Sequence, residues 1–208
     1  QFGLVGSEMC IRDRSNIIKM KPGQKFRNAL KNNKPLIIPG TINAYSAKLA
    51  ELANHNSIYL SGSGVAAASY GLPDLGVTTL ENVLIDAKRI TSATSLPLLV
   101  DIDTGWGDFD AISNTIIEMG NANVAAVHIE DQIFDKRCGH RPNKQLVSID
   151  EMQDRLKAAL DAKIDDSFFI MARTDALASE GIEKAIERCG KYLDCLLYTS
   201  DAADDVHR

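Results

Sequence analysis

The sequence predicts an α/β fold in which parallel strands and covering helices form a TIM-type (β/α) barrel. Three observations carry this. Apolar stretches of strand length alternate with amphipathic stretches of helix length through short connections, the pattern of a parallel sheet covered by helices. The strand stretches are apolar almost without a break, which fits strands buried on both faces. Polar residues fall where those stretches end: Ser61, Asp101 and Asp103, Glu130, Arg173 and Asp175. In a parallel barrel the carboxyl ends of all strands share one rim, and active sites of that fold lie there. An open doubly wound sheet would gather such residues at one switch point instead. A dinucleotide-binding sheet would also want GxGxxG after its first strand, where this chain has Gly40-Thr41-Ile42-Asn43, and no GxxxxGK[ST] loop occurs.

In chain order, Gln24 to Asn32 places Phe26, Ala29 and Leu30 at helical spacing, and Pro35–Gly40 is an apolar run between breakers, read as the first strand. Ala44 to Asn54 is helical. Ser57–Gly62 is the second strand and opens into a loop of small residues, Gly62 to Ala68. Leu80 to Ser92 is a helix capped by Thr78 or Thr79. Leu96–Asp103 is the third strand, followed by a helix from Phe109 to Met119 that Gly120 stops. Val124–Asp131 is the fourth strand. A capping box at Ser148-Ile149-Asp150-Glu151 starts a helix to about Lys163. Phe168–Asp175 is the fifth strand, and Ile182 to Leu193 the helix after it. Five strands fall short of the eight that close a barrel, so the barrel is expected to be incomplete, with about five βα units and its C-terminal part missing. The chain as written is then expected to expose sheet edges, to aggregate and not to turn over substrate.

With 208 residues, 45% hydrophobic and 25% charged, the composition is that of one globular domain. A net charge of -5 argues against nucleic acid or an anionic membrane as partner, and neither a membrane-length apolar run nor a secretory signal is visible. A cytoplasmic enzyme fits these features. The four cysteines, Cys10, Cys138, Cys189 and Cys195, show no spacing that suggests disulfides. Two of them lie in end segments unlike the rest. Residues 1–14 and 195–208 resemble translations of the transposase tags used in sequencing-library preparation, which leaves 15–194 as the barrel domain.

Chemistry-bearing residues converge on the strand ends. Asp101 and Asp103, two apart on one strand, point to one face and repel unless a cation lies between them. Mg²⁺ suits one or two carboxylates plus water and substrate oxygens, and Glu130 on the next strand completes the set. The bland alternative is that one aspartate caps the following helix. Ser61-Gly62-Ser63-Gly64 offers free backbone N–H groups for a carboxylate or phosphate, or is simply a turn. Arg173 on a buried strand needs an anion: a substrate carboxylate, or Asp175 or Glu130. The loop Lys136–Lys144 sets Cys138 among lysines, arginines and His140, a setting that favours a thiolate. His128 reads as a core histidine or one beside the metal, Cys189 as packing, and Trp106 as lining or underpinning the pocket mouth. A metal, a carboxylate nest, an arginine and an activated cysteine together describe chemistry on a polycarboxylate.

Several strings carry a resemblance: Tyr59-Leu60-Ser61-Gly62, Gly71–Gly76, Asp101–Gly105, His128–Asp131, Lys136-Arg137-Cys138-Gly139-His140 and Met171–Asp175. From about Lys21 to Leu193 the chain resembles the isocitrate lyase / phosphoenolpyruvate mutase superfamily. The cysteine loop and its Arg141-Pro142-Asn143-Lys144 continuation look like the branch that cleaves methylisocitrate. The resemblance implies retro-Claisen cleavage of 2-methylisocitrate, a tricarboxylate, to pyruvate and succinate in propionate breakdown, by a cytoplasmic homotetramer. It implies Mg²⁺ on Asp101 and Asp103, with Glu130 in its shell through water. It further implies substrate binding by Ser61, Gly62, Ser63, Cys138, Gly139 and Arg173. Cys138 would protonate the succinate carbanion, with Tyr59, Asp74, Arg137 and His140 in support. Ser63 stands where the family usually has glycine. Isocitrate lyase, an oxaloacetate hydrolase or phosphonomutase type, and an inactive carboxylate-binding fragment are the alternatives.

Overall fold

Among the described residues, four short strands form one parallel sheet in the order β1-β2-β3-β4: β1 Ile58–Leu60, β2 Leu98–Asp101, β3 Ala126–Glu130 and β4 Phe169–Arg173. Strand order follows chain order, so every crossover advances by one strand in the same sense, as in a βα barrel. The computed structural model describes residues 20–134, 136–138 and 143–199. Its helices are α1 Pro22–Asn32, α2 Ala44–Leu52, α3 Gly62–Tyr70, α4 Leu80–Ala93, α5 Phe109–Asn121, α6 Ile149–Asp161 and α7 Ile182–Thr199, with a short 3₁₀ turn at Ala176–Ala178.

Alternation along the strands sorts the side chains onto two faces. Ile58, Leu60, Leu98, Val100, Val127, Ile129 and Ile170 pack into the main core with residues of the helices α2, α4, α5, α6 and α7. Leu99 and Ala126 face the other way, against Phe26 of α1, with Tyr59, Phe169 and Met171 beside them. Phe26 meets Phe169 at 5.5 Å between ring centroids, so α1 closes the amino-terminal end of that second face. Continuing in steps of two toward the carboxyl ends, the same face carries Asp101, His128, Glu130 and Arg173. The register pairs Asp101 with His128 and Glu130 with Arg173. The polar rim is therefore the upper continuation of the inner apolar layer.

Several expected elements come out differently. Pro35–Gly40 is not a strand; only Gly40 bridges, to Tyr59 of β1. Prolines at 35 and 39 have no N–H to give a ladder, and Ile37 is 67% exposed. The small-residue loop after Ser61 is the helix α3. Ser61 caps it by accepting from Gly64 N at 3.4 Å, an alanine run carries it, and Gly71 ends it at φ 64. Thr79 caps α4, and α5 passes through Gly120 to Asn121. At α6 the Ser148 side chain accepts from Glu151 N, but the Glu151 carboxylate turns to Arg155 instead of completing a capping box. The last helix, α7, runs past Leu193 to Thr199, with Cys195 buried in it. Residues 1–14 and 200–208 lie outside the described residues.

Candidate active site

The centre of the rim is the Asp101–Asp103 pair, each 5% exposed. Asp101 ends β2, while Asp103 lies beyond the strand at φ 49, in the left-handed region. Aspartate tolerates that conformation better than most residues, and such outliers gather at functional sites. The turn brings Asp103 N to donate to Asp101 Oδ1 at 3.1 Å, so the two carboxylates are neighbours because of the turn rather than by strand alternation. Neither caps the next helix; Asp108 does. Asp101 Oδ2 also accepts from Gly62 N at 3.2 Å and from Tyr59 Oη at 3.3 Å. A Cβ at residue 62 would stand 3.3 Å from Asp103 Oδ1 and 3.4 Å from Asp101 Oδ2, so glycine there keeps open the space beside both carboxylates.

Lys136 reaches into this space from the cysteine loop. Its Nζ lies 2.5 Å from Asp103 Oδ1 and donates to Asp74 Oδ1 at 2.8 Å. Burial would lower its pKa, but the Asp103 and Asp74 carboxylates outweigh burial and raise it, so Lys136 stays charged. Burial, then the neighbouring Asp101 charge, pushes the Asp103 carboxyl up to about 6 despite Lys136. Cys138 is half-buried, and the side chain it meets is the Asp74 carboxylate. Of the basic residues expected around the thiol, Lys136 is turned to Asp74 and Asp103, and Arg137 is exposed. Gly139, His140, Arg141 and Pro142 lie outside the described residues.

On the opposite side, Arg173 Nη1 pairs with Glu130 Oε2 at 3.1 Å, and its Nε and Nη2 reach Asp175 at 3.2–3.3 Å. Arginine therefore takes both of the anions expected for it while staying one-third exposed toward the rim. Burial pushes the Glu130 carboxyl up to about 8 against the pull of Arg173. His128 sits between the halves: Nε2 is 3.0 Å from Tyr59 Oη, the rings stack at 5.6 Å, and Nδ1 lies 3.7 Å from Asp101 Oδ1. Burial lowers its pKa, keeping the imidazole neutral. Burial and the charge of Asp101 raise that of Tyr59. Ser61 and Ser63 share a hydrogen bond of 2.9 Å at the start of α3. Trp106 donates to Thr78 O at 2.8 Å and packs against the core behind the site.

Tyr59, Ser61, Gly62, Ser63, Asp74, Asp101, Asp103, Glu130, Cys138 and Arg173 are thus placed around one rim. Among the described residues no three acidic, histidine or cysteine side chains are gathered tightly enough to enclose an ion. Glu130 is turned to Arg173 and Gln132 rather than to the aspartate pair. The pair offers only oxygen donors, the chemistry a hard divalent cation takes, and the Lys136 ammonium stands beside Asp103 in the space that Gly62 leaves. Two contributors escape the reading of the sequence. Lys136 enters it only as a source of positive potential, and Gln132, whose amide joins Glu130, Asp175 and the Arg137 backbone, does not enter it. The signal for Gln132 is its place two residues after Glu130, on the same face.

Parallel strands in serial order, with acids, an arginine and a cysteine loop at their carboxyl ends, define a βα-barrel protein with a polar site on its rim. The chain belongs to the phosphoenolpyruvate phosphomutase family, whose family model matches residues 26–195, within the phosphoenolpyruvate mutase / isocitrate lyase superfamily. It is 63% identical over 171 residues to the 2-methylisocitrate lyase of Shewanella oneidensis, covering 82% of this chain and 59% of that protein. It is 60% identical over 175 residues to that of Vibrio cholerae, covering 84% and 57%. Among solved structures, 2,3-dimethylmalate lyase superposes with a TM-score of 0.79 at 35% identity, covering 85% of this chain and 60% of that one. A phosphonopyruvate hydrolase complexed with oxalate and Mg²⁺ superposes with a TM-score of 0.73 at 31% identity, covering 85% and 60%. The chain therefore spans a little under three-fifths of the length of these curated relatives.

Proposed function

We propose that this chain carries the site of a Mg²⁺-dependent carbon–carbon lyase that cleaves 2-methylisocitrate to pyruvate and succinate in propionate breakdown. The observation that carries the reading is the anchoring of Lys136 on Asp103 and Asp74, which ties the Cys138 loop directly over the carboxylate pair. Identity of 60–63% to two 2-methylisocitrate lyases supports the substrate. The complex of phosphonopyruvate hydrolase, a structural neighbour, with oxalate and Mg²⁺ supports the ion and a small carboxylate ligand.

In this reading Asp101 and Asp103 would hold Mg²⁺, with Glu130 joining them only through water. When bound, the ion supplies positive charge to the substrate's hydroxyl and carboxylate oxygens. The Ser63 N–H at the start of α3, with the Ser61 hydroxyl, receives a substrate carboxylate, while the Gly62 N–H holds Asp101 beside it. Arg173, held flat between Glu130 and Asp175, receives another as a planar fork. As the carbon–carbon bond breaks, the substrate hydroxyl gives its proton to a general base and its carbon becomes the pyruvate carbonyl, while the electron pair of the broken bond passes to the carbon that becomes succinate, which takes a proton from the Cys138 thiol. Gly139 completes the substrate contacts, and Tyr59, Asp74, Arg137 and His140 support them. The working protein is proposed as a cytoplasmic homotetramer, checked by light scattering of the purified lyase. Residues 1–14 and 195–208 are proposed as non-native; resequencing the source gene checks this.

Calorimetric titration of the chain with succinate, with and without Mg²⁺, tests the site beside an assay of pyruvate release. Succinate heat that depends on Mg²⁺ is expected. Binding indifferent to the ion sinks the metal assignment, and pyruvate release that survives Cys138→Ser points to one of the other reactions of the fold.

A further inference from the structure

We propose that Gln132 is a positioning residue, a buried amide that clamps the base of the cysteine loop to the ends of β3 and β4 and so keeps Cys138 in register with Arg173. Gln132 is 1% exposed and lies two residues past Glu130. Its Oε1 accepts from Arg137 N at 3.0 Å, and its Nε2 donates to Arg137 O at 2.9 Å. Both backbone groups of the residue preceding Cys138 are therefore held by one side chain. The same Nε2 reaches Glu130 Oε1 at 2.9 Å and Asp175 Oδ2 at 2.6 Å. Two amide hydrogens serve three acceptors, so at least one is shared. The network also fixes which way the amide points. Reversed, its oxygen would face two carboxylates and a carbonyl, and its NH₂ would face an N–H.

The clamp has rigid backing. Gln132 pairs with Leu146 in an antiparallel bridge, and its carbonyl accepts from Arg155 Nη1 of α6 at 2.9 Å. Asp175, the far end of the clamp, also grips Arg173. One amide thus connects the residue placed to bind a substrate carboxylate with the residue placed to deliver a proton. Placement within about 1 Å matters for such a pair. Lys136 ties down the side-chain side of the loop, and Gln132 ties down its backbone. The inference rests on the proposed roles of Cys138 and Arg173 for its purpose, but its geometry is read without turnover.

The test is the rate of iodoacetamide labelling at Cys138, read on its own peptide by mass spectrometry, with exposed Cys189 in the same digest as reference. In Gln132→Leu the amide is gone, and in Gln132→Glu the acceptor for Arg137 N–H remains while the donor is lost. Both variants are expected to label Cys138 roughly tenfold faster or more, with Cys189 unchanged, because a lost buried hydrogen bond opens the loop locally. Unchanged Cys138 labelling in a folded variant overturns the proposal. Should a variant fail to fold, hydrogen exchange on the unsubstituted chain decides. The Arg137 amide is expected to exchange at least about 100-fold slower than an open peptide, and an unprotected one overturns the clamp. If the clamp holds and no lyase activity is found, the proposed function fails and the positioning role does not.

Discussion

Asp103 gathers most of the tension of the site: a left-handed backbone, 5% exposure, one carboxylate neighbour and one ammonium. Its carboxyl is raised to about 6 from an ordinary 3.8. Such a group contributes stability through its protonated form, fully present below about pH 4 and lost as pH rises through about 6. A divalent cation needs the ionised form, so its binding competes with that proton. Mg²⁺ is therefore expected to raise the thermal midpoint more near pH 7.5 than near pH 5, about the window set by this shift. A scanning fluorimetry series checks it, and equal shifts at both pH values would speak against Asp103 as a ligand. Asp101, Asp103, Glu130 and Arg173 are legible in the sequence because each ends a recognisable apolar run. Lys136 is not legible as an inward anchor, because nothing local to a basic loop says that one lysine turns toward carboxylates 33 and 62 residues earlier.

At the scale of elements, the site hangs on β4 and α7 being locked together by Asp131. This side chain is fully buried and accepts from Thr174 Oγ1 at 2.6 Å, Asp175 N at 2.9 Å and Tyr192 Oη at 2.9 Å, with Arg188 Nη1 at 3.4 Å. Asp131→Ala leaves a buried guanidinium with less compensation, a class of change that costs about 3–5 kcal/mol. That corresponds to a fall in thermal midpoint of roughly 10 °C for a chain of this size. A loss below about 1 kcal/mol in denaturant unfolding would mean that Glu180, Val147 O and Tyr192 Oη satisfy Arg188 without Asp131. Most helices are legible from periodicity and caps. Helix α3 is not, because its glycines and serines read as a turn while its alanines and the Ser61 cap decide otherwise. The supposed first strand fails for the opposite reason: apolar composition cannot supply the N–H groups that two prolines lack.

For the whole molecule, parallel topology and the direction of the rim are readable from the run of apolar strands with polar ends. The tertiary partners of each polar end have to come from packing. The flanks of the sheet stay apolar and open: Ile37, Tyr45 and Leu52 are 67%, 73% and 78% exposed toward the β1 side, and Ile182, Ile186 and Leu193 are 59%, 64% and 55% exposed on α7. Patches of this kind seek partners. The 208-residue chain is expected to elute as an assembly larger than its 22.7 kDa mass, and a sharp monomer peak would contradict this. Proton transfer by Cys138 at a Mg²⁺ carboxylate site is the proposal on which the functional reading depends. Its most direct test places residues 26–195 in the matching stretch of the Shewanella oneidensis relative and measures pyruvate release from 2-methylisocitrate. Mg²⁺-dependent release is expected, lowered by about 100-fold or more in Cys138→Ser while Mg²⁺-dependent succinate binding persists. A folded Cys138→Ser chimera that releases pyruvate at the parent rate would contradict it.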